Sequence, residues 1–289
     1  MEQPRLEHVQ CLNAQGLHRM AYWEWGDPAN SRVLLCVHGL TRQGRDFDHL
    51  ARTLSSHYRV VCPDVVGRGH SDWLSEPMGY GEPQYAADMT TLIARLNPST
   101  LDWVGTSMGG LIGMGLAARK GSPIRRMVLN DVGPRIEYSA LARIGTYVGL
   151  PVSWPTPEAA ADALWTLSQG FGPHTSEQWM ELCRPQLRRN EEGRWISHYD
   201  PRIGVPFKAL TPELTTALEA HLWQNWDKIV AQTLVLRGAQ SDLLSAETTA
   251  QMAQRGPRSQ TIEFQGVGHA PTLIAPDQIQ AVSDFLLAA

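Results

Sequence analysis

The stretch from Leu101 to Arg119, LDWVGTSMGGLIGMGLAAR, joins an apolar, strand-like run to a helix-like run through a turn of small residues. Residues 105–109 within it read Gly-Thr-Ser-Met-Gly. Small residues two positions before and two positions after the serine allow a strained strand-to-helix turn to close. Such a turn lifts the Ser107 hydroxyl above the sheet, to a helix N-terminus where the helix dipole favours negative charge. The spacing therefore predicts that Ser107 is a nucleophile.

Similar apolar runs recur along the chain, each ending in a glycine-containing or acidic turn. They are VLLCVHG at 33–39, YRVVCPDVVG at 58–67, IRRMVLNDVG at 124–133, TLVLRGAQSD at 233–242 and TIEFQGVGH at 261–269. Near-continuous apolar runs are typical of strands that are covered on both faces of a sheet. Helix-like stretches separate them, so the pattern predicts an α/β fold with a mostly parallel central sheet of about eight strands. Two earlier runs, HVQCLNA and HRMAYWEWG, are separated by QGL and predict an antiparallel hairpin at the sheet edge.

The alternation of strands and helices stops after Asp131, because residues 134–228 pass before the next core strand. A crossover connection needs far fewer residues. The segment is rich in helix-like stretches and in tryptophan, and large amphipathic rings often line or cover apolar space. We expect an α/β core of residues 1–133 and 229–289 with an inserted helical cap of residues 134–228. The cap would cover the carboxyl ends of the strands, where open α/β sheets bind ligands, and its tryptophans would shape the acyl pocket.

Composition excludes several classes of protein. The chain has 289 residues, 19% charged and 43% hydrophobic, with a net charge of -4, so it is neither disordered nor basic enough for nucleic acid or an anionic membrane. No apolar run reaches the 18 residues of a membrane span, and the polar N-terminus does not resemble a signal peptide. Four widely spaced cysteines form no CxxC pair. They predict buried thiols in a cytoplasmic protein without a metal site.

A serine hydroxyl needs a base within hydrogen-bond reach and an acid that fixes the tautomer of that base. His269 follows the run TIEF, and Asp242 follows the run TLVLRGAQ, so each stands after a predicted strand. We therefore predict a catalytic triad of Ser107, His269 and Asp242. Asp131 also ends a predicted strand, but because Asp242 fills the position of the acid we assign Asp131 to orienting a loop.

The negative oxygen that forms when Ser107 attacks a carbonyl must be held by preorganised donors. We expect one donor to be the backbone amide of Met108, directly after the nucleophile. The other should come from the loop His38-Gly39-Leu40-Thr41, and we assign it to the amide of Leu40. We expect His38 itself to brace this loop.

Four side chains are candidate substrate contacts. The tryptophans of the cap and a polar cluster around residue 198 suggest Trp154, Trp195 and His198. Arg42 follows the oxyanion loop and could clamp the carboxylate of an acidic substrate. The alternative is that the arginines of the chain form solvated basic faces that cover apolar surface.

Taken together, these motifs resemble the α/β-hydrolase superfamily over essentially the whole chain, and within it the cap-bearing bacterial serine esterases and lipase-like hydrolases. The segments that carry the resemblance are HGL at 38–40, PDVVGRGHSD at 63–72, GTSMGG at 105–110, LND at 129–131, RGAQSDLL at 237–244 and GVGHAP at 266–271. The resemblance implies the triad of Ser107, Asp242 and His269 with no metal and no organic cofactor.

The expected function is therefore hydrolysis of small-molecule carboxylic esters with small to medium acyl chains. Ser107 stands where dehalogenases and epoxide hydrolases carry an aspartate, which favours acyl transfer. Ala270 stands where hydrolases of C-C bonds carry a tryptophan, which weakens that reading. Lactonase, hydroxyacid-oligomer hydrolase and C-C bond hydrolase remain alternatives, and a non-catalytic ligand-binding protein is a further one. The oligomeric state stays open.

Overall fold

One eight-stranded sheet runs through the molecule, which the computed structural model describes over residues 3–288. Its strands lie in the order β1-β2-β4-β3-β5-β6-β9-β10. They are β1 (Arg5–Asn13), β2 (Gly16–Trp25), β3 (Arg32–Val37), β4 (Arg59–Pro63), β5 (Thr100–Thr106), β6 (Ile124–Asn130), β9 (Gln232–Gly238) and β10 (Gln260–Phe264). Two short strands, β7 (Leu187–Arg189) and β8 (Trp195–Ser197), pair separately. The predicted mostly parallel sheet of about eight strands is confirmed.

Strand direction decides where the functional residues gather. Strands β1 and β2 form the predicted antiparallel hairpin at the sheet edge, and β2 pairs antiparallel with β4. The pairs from β4 through β3, β5, β6 and β9 to β10 are all parallel. The carboxyl ends of these strands therefore open at one edge of the sheet, which is where ligands bind in folds of this kind.

Helices cover both faces of the sheet. Those outside the segment between β6 and β9 are α1 (Asp48–Leu54), α2 (Glu82–Leu96), α3 (Met108–Ala117), α9 (Ala246–Met252) and α10 (Pro276–Leu287). Alternate side chains of β3 enter two different cores: Val33, Leu35 and Val37 pack on one face, and Leu34 and Cys36 pack on the other. This double burial explains why the strand sequences are continuously apolar.

The long connection that follows Asp131 and leads to β9, here called the insert (residues 132–231), contains β7, β8 and five α-helices. These helices are α4 (Tyr138–Gly145), α5 (Pro157–Ser168), α6 (Ser176–Cys183), α7 (Gly204–Lys208) and α8 (Pro212–Trp226). Backbone hydrogen bonds hold it against the core. The amide of Gly69 donates to the carbonyl of His198 at 2.9 Å, and the amide of Gly268 donates to the carbonyl of Gly170 at 2.6 Å. The predicted cap, residues 134–228, falls within this insert.

Two smaller expectations concern cysteines and membranes. All four cysteines are buried and free, as the sequence predicts. None of the helices within residues 3–288 combines the length and the apolar character that crossing a bilayer requires.

Candidate active site

Ser107 occupies a strained turn between β5 and α3. Its backbone angles are φ 51° and ψ -115°, in a region that L-residues seldom adopt. A methyl group added at Gly109 would collide with the carbonyl of Val37, and one added at Gly105 would collide with the carbonyl of Gly109. Glycine is therefore required at positions 105 and 109, because neighbouring backbone atoms leave no space for a Cβ atom.

His269 lies beside Ser107, in the loop that follows β10. Its Nε2 is 3.0 Å from the Ser107 Oγ, and its Nδ1 is 2.8 Å from the Oδ2 of Asp131. The His269 side chain is 14% exposed and that of Asp131 is fully buried. Hydroxyl, imidazole and carboxylate thus form one hydrogen-bonded chain, which is the arrangement that activates a serine nucleophile.

The carboxylate in this series of hydrogen bonds belongs to Asp131, for which the sequence predicts only a role in orienting a loop. Asp131 follows the last residue of β6 and has a left-handed φ of 55°. Its Oδ1 accepts the Gly238 amide at 2.8 Å, and its Oδ2 accepts the Ser241 hydroxyl at 2.5 Å. These two donors fix the carboxylate in the orientation that receives His269.

The prediction that Asp242 orients His269 is wrong. The Asp242 side chain is 49% exposed, and its Oδ2 accepts the Arg143 Nη2 at 2.6 Å and Nε at 3.0 Å. Strands β6 and β9 are neighbours, so acids after both strands reach the same sheet edge. Asp131 directly follows its strand, whereas Asp242 stands four positions after Gly238, the end of β9, where its side chain faces the insert. The number of residues between each acid and the end of its strand is the signal in the sequence that favours Asp131 over Asp242.

Leu40 and Met108, whose amides are expected to hold an oxyanion, belong to the two segments next to Ser107. Met108 is the first residue of α3, so its amide has no partner one turn earlier in the helix. A methyl group at Gly39 would lie 3.8 Å from the Cβ of Ser107, which places the loop of Leu40 against the serine. Leu40 and Met108 both line a cavity that reaches Ser107. Their assignment as oxyanion donors stays a prediction.

His38 braces the loop, as expected. Its Nδ1 is 2.7 Å from the carbonyl oxygen of Gly39, and its Nε2 accepts the Val65 amide at 2.9 Å. Complete burial lowers the pKa of His38 to about 3. The imidazole is therefore neutral, and its two nitrogens serve the backbone rather than a proton transfer.

Two cavities meet at Ser107. The smaller has a volume of about 250 Å³ and is lined mainly by apolar side chains, including Leu111, Ile136 and Phe207. The larger has a volume of about 420 Å³ and carries His269 in its wall. Ile144, on helix α4 of the insert, lines both cavities. Sequence reasoning did not single out α4, because nothing in its composition marks it as a pocket wall.

Of the four predicted substrate contacts, Trp154 and Arg42 line the larger cavity. Arg42 is already paired, with Nε and Nη2 each donating at 2.7 Å to the carboxylate of Asp46. Trp195 and His198 are not among the residues that line either cavity. Trp195 pairs through its backbone with Trp154, with N–O distances of 2.8 and 2.9 Å.

His198 packs instead against the ring of His70, with ring centroids 5.2 Å apart. Burial, reinforced by the neighbouring His70, lowers the pKa of His198 to about 4. The other insert tryptophans also act in packing. The Nε1 of Trp179 donates to the carbonyl of Ala161 at 2.8 Å, and the fully buried Trp226 donates to the carbonyl of Arg255 at 3.0 Å.

One group of metal-type ligands occurs among residues 3–288, away from Ser107. Cys11 and His18 face each other across the β1–β2 hairpin, and Asp88 of α2 covers them. The Nε2 of His18 is 3.0 Å from the Oδ2 of Asp88. Burial raises the pKa of Cys11 to about 12, which favours the neutral thiol over the thiolate that binds metals. The arrangement is that of a hydrogen-bonded cluster joining the hairpin to α2.

Comparison with known proteins agrees with this geometry. Residues 32–276 match the family model of the alpha/beta hydrolase fold. Over 289 residues the chain is 55% identical to a 3-hydroxybutyrate-oligomer hydrolase from Cupriavidus necator, covering 99% of both sequences. Two solved chains match over 99% of both lengths: an alpha/beta hydrolase from Novosphingobium aromaticivorans, with 35% identity and a TM-score of 0.86, and a chain from Rickettsia typhi, with 30% identity and a TM-score of 0.88.

Proposed function

Because this chain belongs to the alpha/beta hydrolase fold family, we propose that it is a serine hydrolase of carboxylic esters whose substrates are short hydroxyacid oligomers of the 3-hydroxybutyrate type. The observation that carries the reaction type is the hydrogen-bonded chain of Ser107, His269 and Asp131 at the point where the two cavities meet. The substrate class rests on the 55% identity to the Cupriavidus necator hydrolase over the whole chain.

The mechanism follows from the atoms in contact. As Ser107 Oγ attacks the ester carbonyl carbon, His269 Nε2 takes the hydroxyl proton, and Asp131 stabilises the imidazolium through Nδ1. The negative oxygen of the tetrahedral intermediate is held by the amides of Leu40 and Met108. His269 then returns the proton to the leaving alkoxide, and the acyl group remains on Ser107.

The second half of the reaction uses the same groups. His269 removes a proton from a water molecule, and the hydroxide attacks the acyl carbon on Ser107. Collapse of the second intermediate releases the carboxylic acid, and the proton on His269 Nε2 restores the Ser107 hydroxyl. The strained backbone at Ser107 keeps the hydroxyl in place through both steps, so little reorganisation is required.

The cavities agree with an ester substrate made of short branched units. Each linear 3-hydroxybutyrate oligomer contains ester bonds flanked by methylene and methyl groups. The smaller cavity offers apolar surface for such groups, and the larger one combines apolar with polar side chains. A pocket of this kind binds ligands largely by apolar burial, with a few polar contacts that fix orientation.

The test is hydrolysis of linear 3-hydroxybutyrate dimer and trimer, with release of monomer followed by chromatography. We expect turnover by the wild type and a loss of at least about 1000-fold in Ser107→Ala with the fold retained. p-Nitrophenyl butyrate serves as a general ester probe. Turnover of this probe without turnover of either oligomer would overturn the substrate class, and turnover of neither would overturn the proposed function as a whole.

A further inference from the structure

The larger cavity contains more charge than an uncharged ester requires. Its wall includes the side chains of Arg42, Asp46 and Arg143, besides His269. Arg42 and Asp46 neutralise each other in a bidentate pair whose side chains are only 16% and 18% exposed. Breaking such a pair leaves an uncompensated, poorly solvated charge and is strongly unfavourable. Arg42 is therefore held in place as part of the wall.

Arg143 differs from Arg42 in the strength of its pairing. Its partner Asp242 lies outside the residues that line the cavity, and the two side chains are 47% and 49% exposed. Ion pairs this exposed contribute little to stability, because water screens them. Arg143 can thus exchange Asp242 for another carboxylate at little cost, and its planar guanidinium suits a bidentate contact with such a group.

The position of His269 indicates which cavity holds the alcohol portion of the ester and which holds the acyl portion. His269 lines the larger cavity and is absent from the wall of the smaller one. Because His269 must deliver a proton to the leaving alkoxide, the alcohol portion of the ester has to lie on its side of Ser107. The acyl portion then extends into the smaller, apolar cavity beside Leu40 and Met108.

From these observations we propose that Arg143 forms a carboxylate-binding subsite for the alcohol portion of the substrate. A linear hydroxyacid oligomer has one free carboxylate, and it always belongs to the alcohol portion of whichever ester bond is cleaved. Arg143 would bind that carboxylate while Ser107 attacks an ester bond closer to the hydroxyl end. The enzyme would then prefer the free acid and shorten oligomers from the carboxyl end. This inference rests on the proposed function and adds a direction and a specificity residue to it.

The experiment compares two forms of the 3-hydroxybutyrate dimer and trimer, one with the free carboxylate and one with a terminal carboxamide. Cleavage of the internal ester is measured as kcat/KM for each form, and the ratio of acid to amide is the readout. We expect a ratio of at least about 10 in the wild type for at least one length, decreasing at high ionic strength because salt screens the contact. Arg143→Gln should lower this ratio about 10-fold, mainly through KM of the acid, and Arg143→Lys should keep part of it.

Arg255 provides the matched control. It forms a comparable exposed pair with Asp227, with side chains 44% and 41% exposed, and it lines neither cavity. Arg255→Gln should leave both rates and their ratio unchanged. Equal losses on acid and amide in Arg143→Gln, or a wild-type ratio near 1 at both lengths, would overturn the subsite while oligomer hydrolysis itself still stood. No cleavage of any oligomer would instead refute the proposed substrate class, on which the subsite depends.

Discussion

The carboxylate of Asp131 lies 2.8 Å from the Nδ1 of His269, although 138 positions separate the two residues in the chain. The contact forms because β6 and β9 are neighbours, and the loop after β10 returns over their carboxyl ends. It assigns the acid of the proposed triad to the end of β6. Asp242, four positions after the end of β9, pairs instead with Arg143 of the insert.

The role of Asp131 can be measured by comparing two isosteric substitutions. Asp131→Asn should lower kcat on p-nitrophenyl butyrate by about 10⁴-fold, because an amide no longer holds the tautomer and cannot stabilise the imidazolium. Asp242→Asn should change it by less than about threefold, since its carboxylate contacts Arg143 rather than His269. Steady-state kinetics on both variants decides the question. A larger loss of kcat in Asp242→Asn than in Asp131→Asn would show that Asp242 is the acid of the triad.

The tight turn at Ser107 should be intolerant of any added side chain. Gly109→Ala places a methyl group against the backbone carbonyl of Val37, which cannot move without disturbing β3. We expect a loss of about 1–3 kcal/mol in unfolding free energy, together with reduced kcat. Gly81→Ala is the control, because the nearest atom to its new methyl group lies at an ordinary 3.7 Å. Equal unfolding midpoints of the two variants in urea would disprove the steric argument.

His198 should make stability depend on pH. Its folded pKa of about 4 lies below the 6.5 of an unperturbed histidine, so between these values the unfolded chain binds more protons than the folded one. The contribution of neutral His198 to the free energy of unfolding is therefore fully present above pH 6.5 and is lost as pH falls towards 4. Between pH 7.5 and pH 5, the wild type should lose roughly 1 kcal/mol of unfolding free energy relative to His198→Gln, after allowance for partial solvent screening.

Urea unfolding of both proteins at each pH gives this difference directly. The comparison with His198→Gln is needed because burial raises the pKa of Asp64 to about 6. Asp64 therefore increases the free energy of unfolding as pH falls through this value, which opposes the effect of His198. Its contribution is shared by both proteins and cancels. A difference that stays constant from pH 7.5 to pH 5 would show that His198 is not responsible.

The smaller cavity should set the preferred acyl length. Leu111→Trp places an indole ring in a space of about 250 Å³. Because each buried methylene contributes about 0.8 kcal/mol, kcat/KM for p-nitrophenyl hexanoate should fall at least tenfold more than for the acetate. Ile136→Phe, on another segment of the wall, is a milder variant that serves if the first does not fold.

Trp154→Ala alters the larger cavity, which is assigned to the alcohol portion of the ester. It therefore provides a complementary test of which cavity holds the acyl chain. The relative rates along the acyl series should keep their order in this variant, whereas the rates for esters of different alcohols should change. The sequence predicts that the cap tryptophans, Trp154 among them, shape the acyl pocket. A shift in acyl preference with Trp154→Ala, and none with Leu111→Trp, would restore that view and reverse the direction of the bound ester.

The sequence predicts the features of the site that depend on local order. Ser107 is marked by its strand, its turn and its helix, and His269 by its place in the loop after the last strand of the sheet. Continuous apolar strands predicted the parallel sheet, because burial on both faces leaves no room for polar alternation. Such features need only the neighbouring residues along the chain, and the structure agrees with each of them.

What the sequence could not predict depends on neighbours in space. The choice between Asp131 and Asp242 is made by the partners that each carboxylate meets, Ser241 for one and Arg143 for the other. The walls of the cavities likewise depend on how the insert docks. Trp195 is held by backbone pairing with Trp154, away from the cavity, and no periodicity in the sequence indicates that pairing.

The hydrogen bond from the Gly268 amide to the Gly170 carbonyl joins the insert to the residue just before His269. Removing the insert to create an open, broad-specificity enzyme would therefore expose an unpaired donor next to the imidazole and release its loop. For the same reason we expect slow hydrogen exchange at the Gly268 amide. Engineering of this protein is then better directed at side chains of the insert than at its deletion.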